Sequence, residues 1–134
     1  MNLTDEEIIK KRVPPSLQEA IGEAYMYAVV GTVKDKLSYC CALINHLAAA
    51  IEICEMNGVQ NTIERGKIMK AAEVWNSAID DGQYKQNEAS AEKKIAGITR
   101  SLALMSWKYG KINAKMFSPR SSSNGSAAES SGDK

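Results

Sequence analysis

The chain has 134 residues, of which 44% are hydrophobic and 25% are charged, and these values are ordinary for one globular domain. Seventeen Lys and Arg against sixteen Asp and Glu leave a net charge of +1, which points neither to nucleic acid nor to a membrane surface. No apolar run reaches the roughly 18 uncharged residues of a membrane span, and the acidic N-terminus lacks the apolar core of a signal peptide. We therefore predict no membrane partner.

The three cysteines are an odd number, and all three lie on one predicted helix. Cys40 and Cys54 are about 20 Å apart at helical rise, which is too far for a disulfide. Together with the adjacent Cys41 they are typical of core thiols in a reducing compartment. We predict a cytoplasmic location.

The first predicted element is a short helix from Asp5 to about Lys11. Thr4 and Glu7 have the spacing of a capping box, in which each residue binds the backbone N–H of the other. Pro14-Pro15 should end the helix, because neither proline can donate a backbone hydrogen bond.

A second helix should follow the two prolines. Ser16 and Glu19 have the spacing of a second capping box. Gly31-Thr32 is predicted to separate this helix from the next segment, since glycine is unfavourable inside a helix.

The strongest pattern in the chain is an apolar stripe between Val33 and Asn57. Successive members are alternately four and three residues apart, which is the period of one helix face. Its members are Val33, Leu37, Cys40, Ile44, Leu47, Ile51 and Cys54. Asn57-Gly58 is a favourable left-handed end for this helix.

A third long helix should begin at Asn61 or Thr62, because Ile68, Ala72, Trp75 and Ile79 recur at helical spacing. Asp80-Asp81-Gly82 is predicted to close it as a turn. Two aspartates at a helix C-terminus would oppose the helix dipole, so they fit a turn better than a helix.

The last helix is predicted from Asn87 or Ser90 to about Phe117. It carries a second stripe, composed of Ile95, Ile98, Leu102, Met105, Tyr109, Ile112 and Met116. The two stripes are predicted to pack on each other as the longest seam. Gly110 lies inside this pattern, so it marks either a close helix approach or a break after Tyr109.

These elements predict an all-α fold: an elongated bundle of about four helices, a short N-terminal helix and a disordered C-terminal tail. The predicted divisions are 1–14 for the short helix and Pro-Pro linker, 15–117 for the bundle and 118–134 for the Ser-rich tail. Stripes this long in so small a chain predict self-association, most simply as a two-fold dimer. The residues predicted for the bundle seam or the self-association surface are Leu37, Ile44, Leu47, Ile51, Ile98, Leu102, Met105 and Ile112.

Motifs that carry chemistry are missing from the sequence. It has no glycine-rich phosphate loop, no paired-cysteine metal motif and no nucleophile elbow. The one histidine, His46, is five residues from Cys41, and that helical spacing does not bring thiol and imidazole together. We predict a non-enzymatic protein without cofactor, metal or catalytic residues.

A basic flank on the last helix is the one candidate binding site. Lys94, Ser101, Lys108 and Lys115 recur every seven residues beside the apolar stripe. With Trp107 and Lys111, the lysines could neutralise phosphates while the aromatic ring stacks on a base. Alternatively, they pair with acidic side chains of a facing helix, for which Glu52 and Glu55 are candidates. The predicted partner-binding residues are Lys94, Trp107, Lys108, Lys111 and Lys115.

The sequence therefore predicts a small interaction or assembly protein that acts through helix faces and binds a protein partner, most simply a second copy of itself. The alternative, from another class, is a nucleic-acid-binding accessory protein that uses the basic last helix. Affinity that falls steeply with salt would distinguish the second from the first.

Overall fold

The computed structural model describes residues 3–83 and 87–113, which form five α-helices and no strand. The helices are α1 (Asp5–Arg12), α2 (Pro15–Val30), α3 (Val33–Met56), α4 (Thr62–Gln83) and α5 (Glu88–Tyr109). The predicted all-α fold is confirmed. The predicted disordered tail, and with it Lys115, Met116 and Phe117, lies outside the described residues.

Helices α2 to α5 form a four-helix bundle, and α1 lies against α3. Short connections make successive helices antiparallel, and each packs on the next. Helix α5 returns to pack on α2, and it also contacts α3 across the middle of the bundle. The ion pair between Lys36 and Glu92, 2.9 Å, joins the first turns of α3 and α5, so these two helices are parallel.

The prediction that the two stripes form the longest seam was wrong. Helix α3 packs most extensively on α2, and α5 packs most extensively on α4. Leu43 and Ala50 on α3, and Thr99 and Ser106 on α5, are buried in addition to the stripes. Each helix thus buries a face wide enough for several neighbours rather than for one.

Local capping chemistry sets two of the helix starts. At α1, the Glu7 backbone N donates to Thr4 Oγ1 at 3.2 Å and the Thr4 backbone N donates to Glu7 Oε1 at 2.9 Å, so the predicted capping box is confirmed. Thr32 and Asp35 form the same box at the start of α3. The predicted break at Gly31-Thr32 is thus a cap that opens a new helix.

The predicted second capping box does not form. Helix α2 begins at Pro15, with Pro14 at the cap position, so Ser16 and Glu19 already lie inside the helix. Proline suits the first helical position because its fixed φ is helical and its missing N–H would have no partner there.

The predicted turn at Asp80-Asp81-Gly82 is helical, and α4 continues to Gln83. Two donors from α5 offset the unfavourable dipole, because Asp81 Oδ2 accepts from Lys94 Nζ at 2.6 Å and from Ser90 Oγ at 2.8 Å. The hydrogen bond from Lys94, followed by the one from Ser90, lowers the pKa of Asp81 below its usual value. Contact with the next helix therefore keeps the end of α4 helical.

Helix α5 ends at Tyr109, eight residues before the predicted Phe117. Gly110 is extended, with φ −102° and ψ 168°, and the Lys111 backbone N donates to the Gln18 carbonyl oxygen at 2.8 Å. Both predicted roles of Gly110 are confirmed: α5 ends at Tyr109, and a Cβ on Gly110 would stand 3.0 Å from Ile21 Cβ on α2. The break after Tyr109 occurs because the chain turns out of α5 to cross the first turns of α2.

Helix α3 is the one described helix that is long and apolar enough to cross a membrane by length and composition. Its apolar window has a mean hydropathy of 1.5, and 39% of that window is buried inside the bundle. Core helices of soluble proteins have the same length and composition.

Replacement by alanine should have opposite effects on the free energy of unfolding at two of the glycines. A Cβ on Gly22 of α2 would stand 2.9 Å from the Lys111 carbonyl carbon, so Gly22→Ala should lower the free energy of unfolding by about 1–3 kcal/mol. A Cβ on Gly97 of α5 would meet nothing within 4 Å, so Gly97→Ala should raise it by about 0.5–1 kcal/mol through helix propensity. Urea denaturation measures both. Wild-type stability in Gly22→Ala would contradict a tight crossing.

Candidate interaction surface

Two lysines of the predicted basic flank point towards α4 and are engaged there. Lys94 Nζ lies 2.6 Å from Asp81 Oδ2 and 2.7 Å from Ser77 Oγ. Lys108 Nζ lies 3.1 Å from Glu64 Oε2. In the folded chain these two lysines occupy the flank between neighbouring helices, which matches the second of the two interpretations of their spacing.

Their acidic partners differ from those predicted. Glu52 and Glu55 lie on α3, whereas the flank of α5 faces α4. Glu55 instead forms an ion pair with Arg65 at the start of α4, and Glu52 is exposed. The error follows from treating α3 as the main neighbour of α5.

Tyr109 anchors the end of α5 to the start of α4. Its side chain is 0% exposed, and its hydroxyl donates to Glu64 Oε1 at 2.8 Å. Lys108 Nζ approaches the other oxygen of Glu64 and lies 5.2 Å from the centre of the Tyr109 ring. Burial, and then the hydrogen bond to Glu64, raise the pKa of Tyr109 above its usual range. The phenol is thus a neutral donor that holds two helices together.

The cysteines are packing residues. Burial raises the pKa of Cys40 to about 12 and also raises the pKa of Cys54, so both thiols stay protonated and are poor nucleophiles. Cys41 is half-buried, and its sulfur accepts from Asn45 Nδ2 at 3.6 Å. Among the described residues, no three side chains of the metal-binding types come together.

The side of α5 opposite its buried stripe carries the side chains that the bundle does not use. We call it the α5 face; all five of its residues are exposed, and they are Lys93, Ala96, Arg100, Leu104 and Trp107. Leu104 is 80% exposed and Trp107 is 50% exposed. Neither Lys93 nor Arg100 forms an ion pair with any residue in the ranges 3–83 and 87–113.

Sequence reasoning identified Trp107 as a candidate but missed the rest of the α5 face. The signal that would have found it is the position of these residues directly opposite the apolar stripe. Lys111, which follows the helix, is exposed and lines a groove on α2 with Glu19, Glu23 and Met26. Lys115 lies outside the described residues.

The residues predicted for the seam or for self-association lie mainly inside the chain. Six of them are buried in the core: Ile44, Leu47, Ile51, Ile98, Leu102 and Met105. Leu37 and Ile112 are half-buried. Any contact with another chain would therefore use other side chains, because the buried ones are already covered.

Comparison with known proteins adds no relative. No protein-family model, no curated protein and no solved structure matches the chain. What the protein does must be inferred from its exposed side chains.

Replacing Tyr109 by Phe tests the anchor. The variant loses the hydroxyl that donates to Glu64, so the free energy of unfolding at neutral pH should fall by about 1–2 kcal/mol. Because the folded pKa of Tyr109 is raised, the wild type should also lose stability as the pH rises past about 10, where the unfolded tyrosine ionises. Tyr109→Phe should lose less over that range in urea denaturation. If the free energy of unfolding fell equally steeply with pH in both proteins, the raised pKa of Tyr109 would be contradicted.

Proposed function

We propose that the protein is a small non-enzymatic interaction and assembly protein that acts through its helix faces and associates with itself. The observation that carries the proposal is the pair of large apolar side chains, Leu104 and Trp107, exposed on the α5 face. Large apolar groups that stand together on a surface are typical of interaction sites.

The composition of the α5 face supports a protein contact. Arg100, Leu104 and Trp107 are spaced so that they share one side of the helix. Tryptophan and arginine are enriched among the residues that dominate binding energy at protein interfaces. They stand on a helix held by three neighbours, so little ordering would oppose docking of a partner.

Leu104→Glu tests the proposal. We expect the wild-type mass in sedimentation velocity to exceed one chain at high concentration, and Leu104→Glu to weaken this association at least about tenfold, because a carboxylate would be desolvated at the contact. Leu104 is exposed, so the variant should keep wild-type helicity and stability.

Met69→Glu is the matched control. Met69 is 64% exposed but lies on α4, away from the α5 face, so this variant should associate like the wild type. A wild-type protein that remains monomeric from micromolar to millimolar concentration would contradict self-association.

The second candidate function is binding of single-stranded nucleic acid. One observation favours it: half-exposed Trp107 shares a face with Arg100 and Lys93, which have no ion-pair partner among the described residues. A base could stack on the indole while the two cations contact phosphates. Lys94 and Lys108 are less suited, because Asp81 and Glu64 already engage them.

Fluorescence anisotropy with a labelled single-stranded oligonucleotide tests this alternative. If it holds, affinity should fall steeply with salt, and Arg100→Glu should reduce both the affinity and the salt dependence. Lys108→Glu should have a smaller effect, because the Lys108 charge is already paired with Glu64. Absence of binding at low salt would exclude the alternative.

A further inference from the structure

The outward side of α2 repeats the spacing of the α5 face. We call it the α2 face; all five of its residues are exposed, and they are Ser16, Glu19, Glu23, Tyr27 and Val30. Both faces advance by three, four, four and three residues from their first member to their last. The average step of about 3.5 residues is the period at which two helices can stay in contact along a shared seam.

The two faces are also complementary in chemistry, and in the same order along the chain. The first half of the α2 face is acidic, and the first half of the α5 face is basic. The second half of each face is apolar. In parallel alignment, the last three layers pair Glu23 with Arg100, Tyr27 with Leu104, and Val30 with Trp107.

The side chains of the α2 face are available for contact. Val30 is 56% exposed, and neither Glu19 nor Glu23 forms an ion pair with any residue the structure describes. The ring centre of Tyr27 lies 4.8 Å from that of Tyr39 on α3, so Tyr27 packs on a neighbouring helix while 37% of its surface stays exposed.

One chain cannot bring its own two faces together. Helices α2 and α5 run antiparallel, because the backbone hydrogen bond from Lys111 to Gln18 sets the end of α5 against the start of α2. Both faces also point away from the bundle. A parallel match between them needs an α2 face from another molecule.

We propose that the α5 face of one copy docks in parallel on the α2 face of a second copy. This inference rests on the proposed self-association and names the two surfaces that form it. The apolar halves bury Leu104 and Trp107, and the Arg100 guanidinium donates to the Glu23 carboxylate. The contact extends over about 21 Å of helix.

The contact joins two different surfaces, so it is heterologous. In a pair, the copy that contributes its α5 face keeps its α2 face open, and the copy that contributes its α2 face keeps its α5 face open. Heterologous contacts close into rings or extend as open chains. The mass should therefore continue to rise beyond two copies as concentration increases.

Charge reversal at one layer tests the match. Glu23→Arg and Arg100→Glu should each weaken self-association at least about tenfold, because each places like charges opposite one another. Both residues are exposed, and both replacements favour helix, so circular dichroism should be unchanged.

Rescue makes the test specific. In an equimolar mixture of the two single variants, each α5 face meets the opposite charge on the α2 face of the other variant, so association should return. The double variant Glu23→Arg with Arg100→Glu should also associate. Loss in both single variants without rescue would overturn the pairing of these two faces.

The remaining outcomes separate this inference from the proposed function. If Leu104→Glu abolishes association but neither charge reversal affects it, the α5 face does not dock on the α2 face, and self-association still holds. A wild-type protein that is monomeric at every concentration overturns both. Another set of results would assign the α5 face to nucleic acid instead. In that case the protein binds an oligonucleotide, Glu23→Arg strengthens the binding, Arg100→Glu weakens it, and mixing the two variants does not restore it.

Discussion

Burial of α3 on several sides is the constraint on which the rest of the structure depends. Cys40, Leu43, Leu47, Ala50 and Cys54 are fully buried, and α2, α4 and α5 all pack on this one helix. Removing that much apolar surface from water is the main favourable term of such a fold. This burial also decides the orientation of α5. Because α5 lies against both α3 and α4, one of its flanks faces α4 and its opposite side faces solvent.

Local chemistry made most of the fold predictable, and long-range contact explains the errors. The hydrophobic period of a helix and the cap at Thr4 depend on residues that are close in sequence, so both can be predicted from the sequence alone. The helical state of Asp81 depends on Lys94, and the end of α5 depends on the crossing at Gln18. The residue pattern of one segment does not show which distant residues will contact it. The predicted ends of α4 and α5 were wrong for this reason.

The acidic partners of the basic flank were wrongly predicted for a related reason. Helical period identifies the residues beside a stripe but not the helix that stands next to them. Lys94 and Lys108 therefore had no identifiable partners until α4 was in place. Partly exposed ion pairs of this kind contribute little to the free energy of unfolding, because water screens the charges. These ion pairs occupy the flank of α5 that faces α4. Lys93 and Arg100, by contrast, have no ion-pair partner among the residues that the structure describes.

The distribution of charge favours contact between copies over contact with a polyanion. The net charge of +1 hides a separation, with carboxylates on the α2 face and cations on the α5 face. A nucleic acid that follows the α5 face past Trp107 would approach Lys111 and then Glu19 and Glu23, which line one groove with that lysine. A second copy meets no such repulsion, because its own α2 face supplies the carboxylates. In the proposed contact, the carboxylates that oppose phosphate are the same ones that would accept Arg100 from another chain.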